Sequence, residues 1–272
     1  MKPLFSVLVS NYNNAPFIEE CINSALKQTY ENIEIIFVDD CSTDNSLEII
    51  EKLAIKDKRI KILKNSKNEG AGFTKKRMID ECSGQFCGIL DSDDFLNTNA
   101  IEKLVNNHLE NPKASIVYTS TIYFDESGDI SKNYKKTIAQ PKDISVIEVN
   151  NVSHFVTFKK EMYKKTIGVN PLFKKAVDLD FYILMEEVGE ILHFDELLYH
   201  HRIHDKGISQ GNAKELAYDW DFIIKNYHLV RKGISPLEHY QKQKKWYKYD
   251  LSVYSNFTLF KILMNRYFKF KK

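Results

Sequence analysis

The chain has no run of about 18 apolar residues, so nothing in it reads as a bilayer-spanning helix. Its opening, "MKPLFSVLVSNYNN", has one lysine, a short apolar stretch and no small-residue cleavage site. It is therefore not read as a secretory leader, and the expected location is the cytoplasm. The four cysteines, Cys21, Cys41, Cys82 and Cys87, show no CxxC spacing, which argues against a structural zinc site or a disulfide framework and for reduced core thiols. Only 10 glycines and 6 prolines punctuate 272 residues, and neither a repeat nor a low-complexity linker is present. No GxGxxG follows the first apolar run, so the dinucleotide-binding fingerprint is missing. Net charge is only +2, which gives no general affinity for nucleic acid. That figure conceals an asymmetry: residues 241–272 hold nine Lys/Arg against Asp250 alone, leaving the remainder acidic.

What is present is alternation. "LFSVLVS" (4–10), "IEIIFVD" (33–39), "RIKILKN" (59–65) and "FCGIL" (86–90) are apolar runs of strand length. Between them lie helical patterns: Phe17, Ile18, Cys21, Ile22, Ala25 and Leu26 recur at helical spacing, "CSTDNSLEIIEKLA" opens on capping residues, and a third helix is predicted over 73–82. A fourth carries Ile101, Leu104, Val105 and His108 on one face. Such a chain is an α/β protein whose parallel sheet is covered on both faces, and ligands of such sheets bind beyond the carboxyl ends of the strands. From 114 the pattern turns β-rich: "ASIVYTSTIYFD" and "HFVTFKK" read as strands, 177–188 as a helix, and "EILHF" and "LLYHHRIH" as two further strands.

Asp91, Asp93 and Asp94 crowd the end of the fourth strand. Clustered carboxylates repel one another unless a cation offsets the charge. Mg²⁺ or Mn²⁺ does this with one or two carboxylates, water and a substrate phosphate. The rival reading is capping of the following helix. Asp39 and Asp40 close strand two, where an acid can accept from a ribose or a base edge, or cap a turn.

The blocks "SVLVSNYNNAPFIEECINSALKQTYENIEIIFVDDCSTDNS", "NEGAGFTKKR" and "GILDSDDF", in this order and spacing over the first 110 residues, resemble the family 2 glycosyltransferases, with a weaker match to about residue 210. The resemblance implies a GT-A fold: a Rossmann-like, mostly parallel central sheet with helices on both faces. It implies a catalytic domain at 1–210, divided into a nucleotide-binding half (1–110) and an acceptor-side half (111–210). Residues 211–272 would form a helical, basic and aromatic C-terminal extension. It implies an inverting enzyme that uses a nucleotide-diphospho-sugar, a UDP-sugar foremost, with Mn²⁺ or Mg²⁺, and a glycan or lipid-linked acceptor. Ser10 and Tyr12 would line the nucleotide pocket, Asp40 with Asp39 would contact the base, and Asp91 would approach the ribose or the sugar. Asp93, with Asp94, would ligate the metal. Asp178 would be the catalytic base, while Arg202 and His204 would touch the diphosphate or the metal. Three positions depart from the family pattern. Cys41 replaces a glycine, which is harmless if φ there is negative. Lys75 and Lys76 replace Arg-Asn, passing nucleotide contact to Lys75 or Arg77. Val177 replaces a glutamate, making Asp180 a competitor for the base.

His200 and His201 read equally well as half-buried strand residues, and His154 and His193 as core or edge residues. The tail from 241 interleaves Trp246, Tyr247, Tyr254, Phe257, Phe260 and Phe268 with lysines. It could lie in a membrane interface at the inner face of the cell membrane, or pack on the catalytic domain. Two rival functions stand beside glycosyl transfer. One is an Asp-x-Asp phosphohydrolase, whose motif would instead follow the first strand. The other is a non-catalytic relative that only binds sugar nucleotide.

Overall fold

The computed structural model describes residues 2–125, 137–204 and 213–236 together with His239; the basic tail at 241–272 lies outside the described residues. The first half alternates as the sequence predicts: β1 (Phe5–Asn11), α1 (Ala15–Leu26), β2 (Ile33–Asp39), α2 (Ser46–Lys56), β3 (Ile60–Lys64), α3 (Ala71–Glu81) and β4 (Phe86–Asp91). Next come a two-residue strand, β5 (Phe95–Leu96), then α4 (Ala100–Glu110), β6 (Ala114–Asp125), β7 (Val156–Lys159), α5 (Lys160–Tyr163), α6 (Val177–Glu186), β8 (Glu190–Ile203) and α7 (Ala213–Arg231). One sheet runs in the order β3-β2-β1-β4-β7-β6-β8-β5. β3, β2, β1 and β4 are parallel, and β7 enters antiparallel to both β4 and β6.

Strand periodicity of two divides the apolar residues between two core layers. Phe5, Val7 and Val9 of β1, with Ile35 and Phe37 of β2, face α1, α2 and α4 through Ile18, Ile22, Ile50, Ile101 and Leu104. Leu8, Ile36 and Val38 face the other way, toward Met78 and Ile79 of α3, Phe181 and Ile183 of α6, and Ile224 and Tyr227 of α7. Part of the C-terminal segment thus shares the core of the sheet's second face. Gly88 is the one β4 position where any side chain would collide: an added Cβ would lie 2.4 Å from the Phe155 ring and 2.9 Å from Phe5.

"EILHF" and "LLYHHRIH", read as two strands, form the single strand β8. The register against β6 jumps from Thr119 opposite Phe194 to Ser120 opposite Leu197, so Asp195 and Glu196 bulge out and the pairing resumes beyond them.

His108 of α4 makes the fold acid-sensitive. Its side chain is buried, with Nε2 at 3.0 Å from Thr157 Oγ1. Since the Thr157 hydroxyl donates to Val117 O, it must accept from His108, which puts the proton on Nε2 and leaves Nδ1 buried without a partner. Burial, reinforced by the Lys159 charge, pulls the imidazole from 6.5 down to about 3. Stability from this group is therefore complete above about pH 6.5. It falls as pH drops toward 3, because the unfolded chain takes up a proton that the native chain refuses, by up to about 1.4 kcal/mol per pH unit. Urea titrations of wild type and His108→Gln between pH 7.5 and 4.5 should show the wild type losing ground to the variant as pH falls. A difference that stays constant over this range would refute the assignment.

Candidate functional site

The parallel register sets Ser10 opposite both Val38 and Asp91, and Asn11 opposite Asp39, so the loops after β1, β2 and β4 open along one edge of the sheet. Tyr12 projects from the first of these loops and is 46% exposed. Asp39 and Asp40 are buried and hold the loops in place. Asp39 accepts from Asn11 Nδ2 (2.9 Å), Ser42 N (2.9 Å) and Ser42 Oγ (2.6 Å). Asp40 accepts from Asn65 Nδ2 (2.7 Å), Glu69 N (2.8 Å) and Gly70 N (2.8 Å). A carboxylate has about four acceptor positions, so each keeps one open. Cys41, between this pair and Ser42, has φ of +63°, not the negative value that would make the loss of glycine harmless. The left-handed conformation costs a non-glycine residue about 1 kcal/mol.

The acids beyond β4 separate into distinct environments. Asp94 is buried and engaged on both oxygens: Oδ2 accepts from Tyr199 Oη (2.5 Å) and lies 3.0 Å from His201 Nδ1, while Oδ1 accepts from Arg202 N (2.7 Å). It pins β8 to the acidic loop. Asp93 lies with Oδ2 at 3.0 Å from His204 Nε2, and among the described residues no side chain hydrogen-bonds its second oxygen. Burial opposes its charge, but the His204 hydrogen bond and nearby imidazoles hold its carboxyl below the usual carboxylate range. Asp91 points into the cleft, with Oδ2 at 3.8 Å from His154 Nδ1. Burial pushes its carboxyl up to about 6; His154 works against that, and Asp94, Asp93 and Asp178 add to it.

Arg202 donates from Nε to Asp93 O (3.0 Å), pairs with Glu20 of α1, and is held between the rings of Phe17 (4.8 Å) and Phe124 (4.6 Å). His204 packs 4.8 Å from the same Phe17 ring. The guanidinium thus has an acidic partner already in place. Glu20 and Phe17 were passed over in the sequence because they sit among the ordinary amphipathic residues of α1, and only the fold brings β8 against that helix. His200 serves packing, stacked at 4.3 Å on Phe95 with Nε2 at 2.9 Å from Asn97 Oδ1.

α6 brings the candidate base to the same edge. Ala176 precedes it in the left-handed region, φ 51°, and turns the chain so that Asp178 stands in the first helical turn. Asp178 pairs with Lys75 of α3. Desolvation in the cleft opposes its ionisation, yet Lys75 and then His154 hold the carboxyl below its ordinary value. α3 can approach because residue 72 is glycine: a Cβ there would lie 2.4 Å from Phe173 O. Asp180, the competing acid, is turned inward and buried. Its Oδ1 lies 2.7 Å from His228 Nε2 of α7 and its Oδ2 accepts from Asn170 N (2.8 Å). Arg77 donates to Lys64 O (2.7 Å) and Asn65 Oδ1 (2.5 Å), bracing the end of β3.

His154, read from the sequence as core or edge, stands in the cleft. β7 runs antiparallel to β4 with Val156 opposite Ile89, so the residues before Val156 arrive beside the carboxyl end of β4. Neither composition nor spacing announces an antiparallel strand inserted at that place.

The family model for Glycosyl transferase family 2 matches residues 6–170. The chain belongs to this family. Chondroitin synthase of Escherichia coli is 30% identical over 90% of the chain, which spans 36% of that protein's length. Among solved structures, S. aureus TarS 1-349 in complex with UDP-GlcNAc superimposes with a TM-score of 0.65 at 22% identity, covering 85% of this chain and 67% of that one. The mannosyltransferase PcManGT from Pyrobaculum calidifontis, in complex with GDP-Man and Mn2+, gives 0.61 at 17%, covering 87% and 66%. These likenesses establish the GT-A-like α/β fold that the strand order describes.

Proposed function

We propose that the protein transfers a sugar from a nucleotide-diphospho-sugar, UDP-linked in the first instance, to a hydroxyl of a growing cell-surface glycan or lipid-linked acceptor, with inversion at the anomeric carbon. The observation that carries this reading is the cleft that Asp178 shares with Asp91. Each carboxylate's charge acts on the other or on a common neighbour: Asp178 raises Asp91, both raise the buried Tyr182 phenol, and His154 lowers both acids. This supports a reading in which the leaving diphosphate lies beside the β4 acids and the attacking hydroxyl beside α6, on opposite sides of one sugar.

Among the described residues no three His, Cys, Asp or Glu side chains converge on one metal position. A divalent cation of the Mg²⁺ or Mn²⁺ type needs only one or two protein carboxylates, the rest of its shell being water and substrate phosphate. Asp93 would hold it, steadied by His204, with Asp91 adjacent; the engaged carboxylate of Asp94 makes it a brace for β8 in this reading. Such an ion supplies positive charge to the leaving diphosphate. Asp178, kept ionised by Lys75, takes the proton of the acceptor hydroxyl as it attacks from the face opposite the diphosphate. Ser10, Tyr12, Asp39 and Asp40 line the nucleotide side. We place the catalytic unit at 1–210, with α7 bracing it from behind.

Thermal unfolding with UDP-, GDP- and dTDP-sugars, each with Mn²⁺ or EDTA, tests the reading. A true donor at about 100 times its dissociation constant stabilises the fold by about 2.7 kcal/mol, and EDTA removes most of that gain. No shift with any nucleotide sugar in Mn²⁺ would refute it.

A further inference from the structure

We propose that His154 is a sugar-binding residue of this cleft, accepting at Nε2 from a hydroxyl of the transferred sugar; the inference rests on the glycosyl-transfer reading above. The ring is held in place from several sides. Its own carbonyl accepts from Thr119 Oγ1 (3.3 Å) and Thr121 Oγ1 (2.7 Å) of β6, and the next amide, Phe155 N, donates back to Thr119 Oγ1 (3.1 Å). The imidazole lies parallel to His201 at 6.0 Å, with an interplanar angle of 4°, and stacks on Tyr199 at 5.4 Å. Nδ1 faces Asp91 at 3.8 Å. Among the described residues nothing hydrogen-bonds Nε2, and the side chain is 28% exposed.

With Nδ1 turned toward the carboxylate, the neutral ring carries its proton on that side and presents Nε2 as an acceptor. An acceptor fixed in this way discriminates by hydroxyl position, since a sugar lacking the matching hydroxyl leaves it without a partner. The position matters as much as the orientation. Asp91 stands two residues before Asp93, the proposed diphosphate anchor, and His154 lies near enough to act on Asp178 as well. In this reading a sugar whose anomeric carbon lies between the diphosphate and the base comes alongside this ring. The nucleotide, held at the β1 and β2 loops, does not.

The two ligands therefore separate the role from a structural one. Calorimetric titration with Mn²⁺ present would compare UDP with UDP-N-acetylglucosamine and UDP-glucose on wild type, His154→Phe and His154→Gln. Phenylalanine keeps the stacking on Tyr199 and His201 and removes the acceptor; glutamine returns an accepting amide oxygen near the place of Nε2. Expected for His154→Phe is a loss of tenfold or more in affinity for the better-bound UDP-sugar with UDP changed less than twofold, and partial recovery in His154→Gln. Equal losses for UDP and UDP-sugar, accompanied by a lowered Tm, would show a structural residue and overturn the inference. Unchanged affinities for all three ligands would also overturn it. A wild-type chain that binds neither UDP nor the UDP-sugars overturns this inference as stated, and failure with the GDP- and dTDP-sugars as well overturns the glycosyl-transfer reading. Should the phenylalanine variant fail to fold, His154→Gln against wild type carries the same comparison, with a smaller expected separation between the sugar and UDP.

Discussion

Asp178→Asn should lower kcat by about 10²- to 10⁴-fold, the usual contribution of a positioned general base, while donor affinity stays within a few-fold of wild type. The amide is close in shape and still accepts a hydrogen bond from Lys75, but it cannot take the acceptor's proton. Because Lys75 holds the Asp178 carboxyl below its ordinary pKa, the wild-type base is ionised throughout the neutral range, and raising the pH should not rescue the variant. Asp178 is 43% exposed at its side chain, so its pair with Lys75 contributes little to stability after solvent screening, and Tm should move by only a few degrees. The measurement is release of nucleoside diphosphate from the donor at saturating acceptor, with donor affinity from a separate titration. Turnover within tenfold of wild type would remove Asp178 from the mechanism.

The buried pair behind the base should behave in the opposite way. His228→Ala is expected to destabilise the protein by about 3 to 5 kcal/mol, because it leaves the Asp180 carboxylate enclosed with one hydrogen bond removed. Asp180 and His228 are almost wholly buried, at 1% and 0% exposure. Arg231 points its guanidinium at His228 Nδ1 (3.0 Å), so the proton of the ring sits on Nε2 and is donated to Asp180 at 2.7 Å. A loss of this size is a large part of the about 5 to 15 kcal/mol that holds a domain together, and corresponds to a fall in Tm of roughly 10 °C or more. The double variant Asp180→Leu, His228→Leu should recover much of it, since no charge is then stranded, although Asn170 N loses its acceptor. Chemical denaturation of the two single variants and the double one forms the test. Asp180→Asn supplies the cross-check: it should lower stability more than it lowers kcat. The reverse result would restore Asp180 as the base.

The four parallel strands and their helices were legible because each strand is buried on both faces and so reads as an unbroken apolar run, while each helix keeps a single apolar stripe. The acids after β4 were legible because three carboxylates in four positions have few inexpensive explanations. Their individual roles were not. Asp93 and Asp94 are adjacent in the chain and identical in chemistry, yet one ends with an oxygen open to the cleft and the other is closed by Tyr199, His201 and the Arg202 amide, partners more than a hundred residues away. Nor could Asp178 be told from Asp180 by spacing, since both fall in the first turn of α6. Only the docking of α7 turns one of them inward.

The amino-acid order alone therefore determined the class of fold, the edge of the sheet that gathers the candidate site, and the chemical type of its groups, because these follow from local periodicity and from the cost of crowding like charges. The tertiary structure alone decided which acid is left open, which is sealed, and that His154 stands beside Asp91. Those outcomes depend on contacts between segments far apart in the chain, above all the antiparallel entry of β7 beside β4 and the seating of α7 on α6. A one-dimensional pattern carries no record of such pairings.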